Sequence, residues 1–175
     1  MRKTTLKLVI SAMLIAFDVI FTRLLAVNVL WAKLGFGFTA VVLSAMLYGP
    51  ASAGATAAIG DIVGSLLFPT GAYFPGFTVT AAITGVVYGL YLHKERPNFV
   101  RSLLASLTNS LLVTMLLNTM MIILIFEPAN IMPFIWGRAF EAALMLVAQT
   151  AVIYAISVSN SLYGKILELK PQKSE

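Results

Sequence analysis

Pro69-Thr70-Gly71-Ala72-Tyr73-Phe74-Pro75-Gly76-Phe77-Thr78 interrupts two long apolar runs. Proline lacks the amide donor that a helix interior needs and glycine favours turns, so the two prolines and two glycines here forbid one helix through the whole stretch. Tyr73, Phe74 and Phe77 add flat surfaces that a plain connection does not need. At a membrane boundary, such aromatics serve either as anchors or as ligand contacts.

The flanking runs decide the class. With 59% hydrophobic and 11% charged residues, the 175-residue chain lacks the polar surface of a soluble domain of its size. An all-α integral membrane protein is therefore expected, and about 20 residues per crossing leaves room for roughly six spans in one bundle. The spans are read as Thr5–Ala26, Phe38–Tyr48, Ala51–Phe68, Gly76–Leu92, Val100–Phe126 and Met132–Ser159. The second is short and crosses alone only if Gly49-Pro50 is a kink instead of a stop. The apolar N-terminal run is too long for a signal peptide and reads as a retained first span.

Basic residues set the orientation. Arg2, Lys3 and Lys7 precede span 1, Lys94, Arg96 and Arg101 separate spans 4 and 5, and Lys165, Lys170 and Lys173 follow span 6. With six spans all three clusters share one face, so both termini are expected in the cytoplasm. Topology accounts for the net charge of +5, and no nucleic-acid partner is implied. His93, between Leu92 and Lys94, reads as part of a solvated cytoplasmic loop.

Several chemistries are excluded. There is no cysteine and a single histidine, which removes disulfides, thiolate metal sites and cysteine nucleophiles and leaves no basis for a histidine metal site. No Gly-x-x-x-x-Gly-Lys-[Ser/Thr] phosphate loop occurs, so ATP is not used by that route. No convergent catalytic constellation is visible, and neither an enzyme nor a cofactor is expected.

Three loops lie on the outer face, at 27–37, 69–75 and 127–131. Spans 2 and 4 begin alike, with Gly37-Phe38-Thr39-Ala40 and Gly76-Phe77-Thr78-Val79. Glycine there permits close approach and threonine can cap the first turn, leaving N–H groups for an outside ligand; two ordinary helix starts are the alternative. Small residues crowd span 3 from Ala51 to Gly60, and Ala81, Gly85 and Gly89 recur in span 4, a pattern of close helix packing in lipid. Ala12 and Ala16 share one face of span 1 and form a shallow groove for another helix, internal or from a partner.

Charges inside spans are costly and mark candidate sites. They are Asp18 and Arg23 in span 1, Asp61 in span 3, and Arg138 with Glu141 three residues on in span 6. Arg23 has no acidic residue three or four positions away and either snorkels to water or receives an anion; its helical azimuth nearly repeats that of Ala12, so if that face meets a partner Arg23 must reach over the top of the helix. Asp61 needs donors, from a ligand's amidine-like edge or from neighbouring hydroxyls. Asn118, with Thr114 one turn earlier, offers hydrogen bonds in the outer half of span 5. Trp31, Tyr73 and Trp136 are either belt anchors or, with Arg23, Lys33 and Arg138, the walls and cationic rim of a pocket for a flat anion.

These residues resemble the substrate-binding S component of an energy-coupling factor (ECF) vitamin transporter, most closely the folate-specific type. The resemblance runs from Ala12-x-x-x-Ala16 through Gly37-Phe38-Thr39-Ala40, Gly49-Pro50, Gly54, Asp61 and Gly64 into the Pro69–Thr78 motif. It implies a single substrate-binding transmembrane domain over residues 1–175 in a multi-pass, bacterial cell-membrane protein. Folate would be captured from outside beneath the first outer loop and the Pro69–Thr78 loop. The Ala12 and Ala16 face would dock on a transmembrane T component carrying two ATPases, and transport would follow by toppling in the lipid. The rings of folate would stack on Trp31, Tyr73, Phe74 or Phe77, with Asp61 or Asn118 at the pterin edge and Phe38 and Trp136 as further substrate-binding residues. Its carboxylates would meet Arg23, Lys33 or Arg138. Another aromatic vitamin such as riboflavin, or a scaffold without ligand, are the alternatives.

Overall fold

The computed structural model describes residues 2–29, 32–69, 73–126 and 131–170, with the side chains of 2–3, 27–29, 32–34 and 126 not described. Helix α1 covers Arg2–Val19 and widens into a π-helical turn at Ile20–Leu24, closed by a Leu25 N–H to Ile20 carbonyl bond of 3.0 Å. The segment read as the first outer loop contains two short antiparallel strands, β1 (Val27–Val29) and β2 (Ala32–Leu34), with Asn28 opposite Lys33. Trp31 lies outside the described residues, as does the side chain of Lys33.

Helix α2 (Phe38–Tyr48) is buried on nearly every side. Gly49, at φ +83°, ends it, and Pro50 opens α3 (Pro50–Leu67). Gly49-Pro50 is thus a full stop, because the positive φ belongs to glycine and the proline withholds the N–H that would continue α2. The two helices fold back on each other, tied by a 2.9 Å hydrogen bond between the Ser44 and Thr56 hydroxyls.

Helix α4 (Pro75–Leu92) lies against α3 at glycine distance. A Cβ added at Gly85 would stand 2.3 Å from the Ala53 carbonyl oxygen, and one at Gly89 would stand 2.2 Å from the Pro50 Cα. The small-residue pattern of spans 3 and 4 is therefore backbone-to-backbone packing. Helix α5 (Phe99–Thr108) continues through a π-helical segment (Asn109–Asn118) into α6 (Thr119–Phe126). Helix α7 (Ile131–Val158) closes the bundle.

A final helix, α8 (Asn160–Leu169), follows where the sequence reading ended its last span and left only a tail. Ser159 caps it and Ile166 is its buried anchor. The segment His93–Pro97 keeps Lys94, Glu95 and Arg96 exposed, as expected of a solvated loop, and also clamps this end of the bundle. Arg96 donates to the Ser157 and Val158 carbonyls at 2.8 and 3.2 Å and to Asn160 Oδ1 at 2.9 Å, and it stacks over the Tyr163 ring. The guanidinium thereby satisfies carbonyls that the C-terminus of α7 leaves without helical partners.

Thr4–Leu24, Pro75–Leu92, Phe99–Ile125 and Ile131–Val158 are each long and apolar enough to cross a membrane. Leu8, Met13 and Phe17 on α1, Leu66 on α3 and Val147 on α7 are exposed. In water such a surface would drive association; in lipid it is the solvated face.

Candidate functional site

At the end of the bundle opposite the Arg96 clamp, a cavity of about 610 Å3 opens among α1, α2, α3, α4 and α6. Its wall takes in the expected residues Arg23, Phe38, Asp61, Tyr73, Phe74, Phe77 and Asn118. A second cavity of about 260 Å3 shares Phe77, Asn118, Ile122 and Met145 with it and brings in Arg138, Glu141 and Gln149. Trp136 stands apart, 74% exposed and on neither wall. Ala12 and Ala16 are exposed on α1, on no described internal interface.

The charged centre joins helices distant in sequence. Arg23 Nη2 donates to Ser65 Oγ at 2.8 Å and to Asp61 Oδ1 at 3.4 Å, with Arg23 and Asp61 only 11% and 20% exposed. Arg23 does not reach over the top of α1. The π-helical turn inserts an extra residue before it, which rotates the end of the helix by about 100° away from the Ala12 azimuth and into the cavity. Gly64 makes the room, since a Cβ there would sit 3.0 Å from Arg23 Nε.

Asp61 also carries the loop. Its Oδ2 accepts from Thr78 Oγ1 at 2.7 Å, and the Thr78 hydroxyl meets Tyr73 OH at 2.8 Å. With the Thr78 proton given to the carboxylate, the Tyr73 phenol is the donor to Thr78. Tyr73, beside the start of α4, is thus wired to Arg23 through two side chains. The expected threonine caps do not form: neither α2 nor α4 has a side-chain cap at its N-terminus. Thr39 and Thr78 lie inside helices that begin at Phe38 and Pro75, past the position from which a cap acts.

Asn118 accepts from Thr80 Oγ1 at 2.7 Å, within the wall of the first cavity. Arg138 pairs with Glu141 on one face of α7, as their spacing suggests, and the Arg138 Nε is buried without a hydrogen-bond partner among the described residues. Each cation is therefore matched by a carboxylate. The described wall of the first cavity holds Asp18 and Asp61 beside Arg23, while Arg138 lines the second cavity and the side chain of Lys33, the third cation expected at the rim, lies outside the described residues.

Asp18, flagged in the sequence only as a charge inside a span, also lines the cavity, as do Thr22, Ser65 and Thr80, which had no sequence signal of their own. Asp18 is buried, accepts from Thr22 Oγ1 at 3.2 Å, and lies flush on two glycines. A Cβ at Gly60 would be 2.1 Å from Asp18 Oδ2, and one at Gly37 would be 2.4 Å from Asp18 Oδ1. The sequence signal was the pair Gly60 and Gly64, four apart around Asp61: each leaves a slot for a polar side chain of α1.

Comparison with known proteins gives a consistent picture. The family model for the ECF-type riboflavin transporter S component matches residues 2–168. A folate transporter FolT of Clostridium novyi (strain NT) is 34% identical, over 84% of this chain and 85% of its own length. A FolT of Leuconostoc mesenteroides subsp. mesenteroides is 31% identical, over 86% of this chain and 83% of its own. The crystal structure of FolT bound with folic acid is similar with a TM-score of 0.81 at 31% identity, covering 90% of this chain and 94% of that one.

Proposed function

This chain belongs to the S components of ECF-type transporters, and from that premise we propose that it is the folate-capturing subunit of such an importer, a single transmembrane substrate-binding domain. One observation carries the reading. A cavity of about 610 Å3 lies beside Tyr73, Phe74 and Phe77, with the Arg23–Asp61–Ser65 cluster on its wall. Pockets of this size hold cofactor-sized ligands. A pterin and an aminobenzoyl ring are flat partners for these aromatics, while a glutamate carboxylate suits Arg23 or Arg138. The identity of the relatives with FolT proteins supports folate over other vitamins.

The residues we assign to folate are Arg23, Phe38, Asp61, Tyr73, Phe74, Phe77, Asn118 and Arg138. Trp31 and Lys33, in the first outer loop, complete the assignment from the sequence. Trp136, with its high exposure, is better suited to the aromatic belt.

The topology we assign has six crossings: α1 with its π-helical turn, α2, α3, α4, the continuous α5–α6 rod, and α7. Both termini are then cytoplasmic, in keeping with the basic clusters. Helix α2, only about 16 Å long at 1.5 Å per residue, is accommodated because its neighbours cover it and it needs no match to the lipid thickness. The cavity then faces outward. The exposed Ala12 and Ala16 face of α1 is the surface for the T component, whose two ATPases supply the energy.

Riboflavin is the second reading, favoured by the description of the matching family model. The two separate on the ligand that the protein carries. Purified in detergent from cells grown in rich medium, it is expected to release a pterin, identified by absorption and mass, and to melt at higher temperature with added folate. A bound flavin would replace the folate assignment. Absence of any ligand together with no stabilisation by folate or riboflavin would return the chain to a scaffold role.

A further inference from the structure

The second cavity does not end on hydrocarbon. Gln149 on its wall accepts at Oε1 from Asn109 Nδ2 at 3.4 Å, and Asn109 Nδ2 also donates to the Tyr88 hydroxyl at 3.2 Å. Tyr88 is completely buried, and Asn109 and Gln149 are each 4% exposed. Three polar side chains from α4, the π-helical segment and α7 therefore meet inside the bundle.

Around them, Ser106 Oγ, Asn109 Oδ1 and Thr150 Oγ1 have no hydrogen-bond partner among the described residues. Ser106 and Thr150 are 0% and 7% exposed. Ser106 lies one turn before Asn109, and Thr150 follows Gln149 on α7, which packs against the helix that carries them. Turning over the Asn109 amide moves its unpaired end without removing it. The backbone is also irregular here: the Asn109 N–H is shared between the Ala105 and Ser106 carbonyls at the entrance to the π-helical segment.

Buried polar groups persist when they are paired, and alanine or valine would fill the same volumes without that requirement. The three side chains are neutral, whereas a bare cation in so buried a place requires charge compensation. Water requires two to four polar partners, and Ser106, Asn109 and Thr150 each offer one that is otherwise unused among the described residues.

We infer that Ser106, Asn109 and Thr150 converge on a recess that holds ordered water, a buried extension of the ligand cavity behind Gln149. The inner wall of the cavity is then a hydrogen-bonding surface backed by water, and a polar edge of a ligand arriving there exchanges one hydrogen-bonded partner for another. This holds whatever vitamin the outer cavity takes.

Radiolytic hydroxyl labelling of the full chain in detergent, in 18O-enriched water, tests it. Tyr88 has no exposed surface, yet bound water beside it is expected to label it, with the exposed Tyr73 as reference. An unlabelled Tyr88 overturns the assignment. Loss of its label when sodium replaces potassium would assign the recess to a cation and overturn it equally. Ser106→Ala and Thr150→Val provide a second readout. Each is expected to lower the melting temperature, because the shared water loses a partner. A rise or no change, the result for dry hydroxyls replaced by apolar isosteres, counts against water.

Discussion

Replacing Arg23 by alanine and Asp61 by asparagine, singly and together, isolates the ion pair at the centre of the cavity. Two unit charges at the observed 3.4 Å attract by about 5 kcal/mol at an effective dielectric of about 20. Desolvation of two largely buried groups offsets much of this, and a net coupling of about 1–3 kcal/mol is expected. Arg23→Ala is the harsher single change. It leaves the Asp61 carboxylate with Thr78 as its remaining donor in the described network, at a cost of about 3 kcal/mol. Asp61→Asn keeps the shape and removes the charge that Arg23 answers, so the double variant should be less destabilised than the two singles combined. Reversible unfolding in mixed micelles reads the coupling. Repeating the cycle at saturating folate adds a functional arm: if a ligand carboxylate takes Arg23, the Arg23–Asp61 coupling shrinks while Arg23→Ala still weakens binding. A ligand-free coupling below about 0.5 kcal/mol, the usual scatter of independent sites, would refute the pair as an energetic unit.

Arg138→Ala is expected to weaken folate binding by about 2 kcal/mol, roughly thirtyfold in Kd; an unchanged affinity by calorimetry would leave Arg138 as the structural partner of Glu141. Gly89→Ala places a Cβ against the Pro50 backbone and should cost about 1–3 kcal/mol of stability as α3 and α4 are forced apart; an unaltered melting temperature would contradict the close packing. Ala12→Arg or Ala16→Arg should abolish uptake in cells while binding in detergent is retained; loss of both would mean that this face packs internally. Arg96→Ala should speed hydrogen exchange in α8 without changing ligand affinity, and unchanged exchange would deny the clamp its role.

Much of the fold was legible because its signals are local. A run of apolar residues long enough to cross lipid, ended by proline or glycine, needs no partner to be recognised. The expected spans accordingly fall within a few residues of α1 through α7. The strands β1 and β2 were missed because three residues leave no periodic trace, and helix α8 because its mixed polar and apolar residues after Ser159 do not continue the uniformly apolar run of α7. Among the candidate residues, Arg23, Phe38, Asp61, Tyr73, Phe74, Phe77 and Asn118 share one cavity, and Arg138 lines the adjoining one. Charged or aromatic groups in an apolar chain stand out one at a time.

Which of these groups meet is another matter, set by helix azimuth and by pairing across the bundle. Arg23 and Asp61 are 38 positions apart, and the π-helical turn that swings Arg23 inward leaves no mark in the hydrophobic pattern. Asp18 was visible as a charge, but its seat on Gly37 and Gly60 exists only once three helices are brought together. The Pro69–Thr78 stretch shows the division most clearly. Its prolines, glycines and aromatics announce a loop between two apolar helical runs, since breaking a helix is a property of the residues themselves. That Thr78 links Tyr73 to Asp61, and through it to Arg23, is a result of the packing of α3, α4 and α1, because a hydrogen bond between helices depends on distances that no single segment contains.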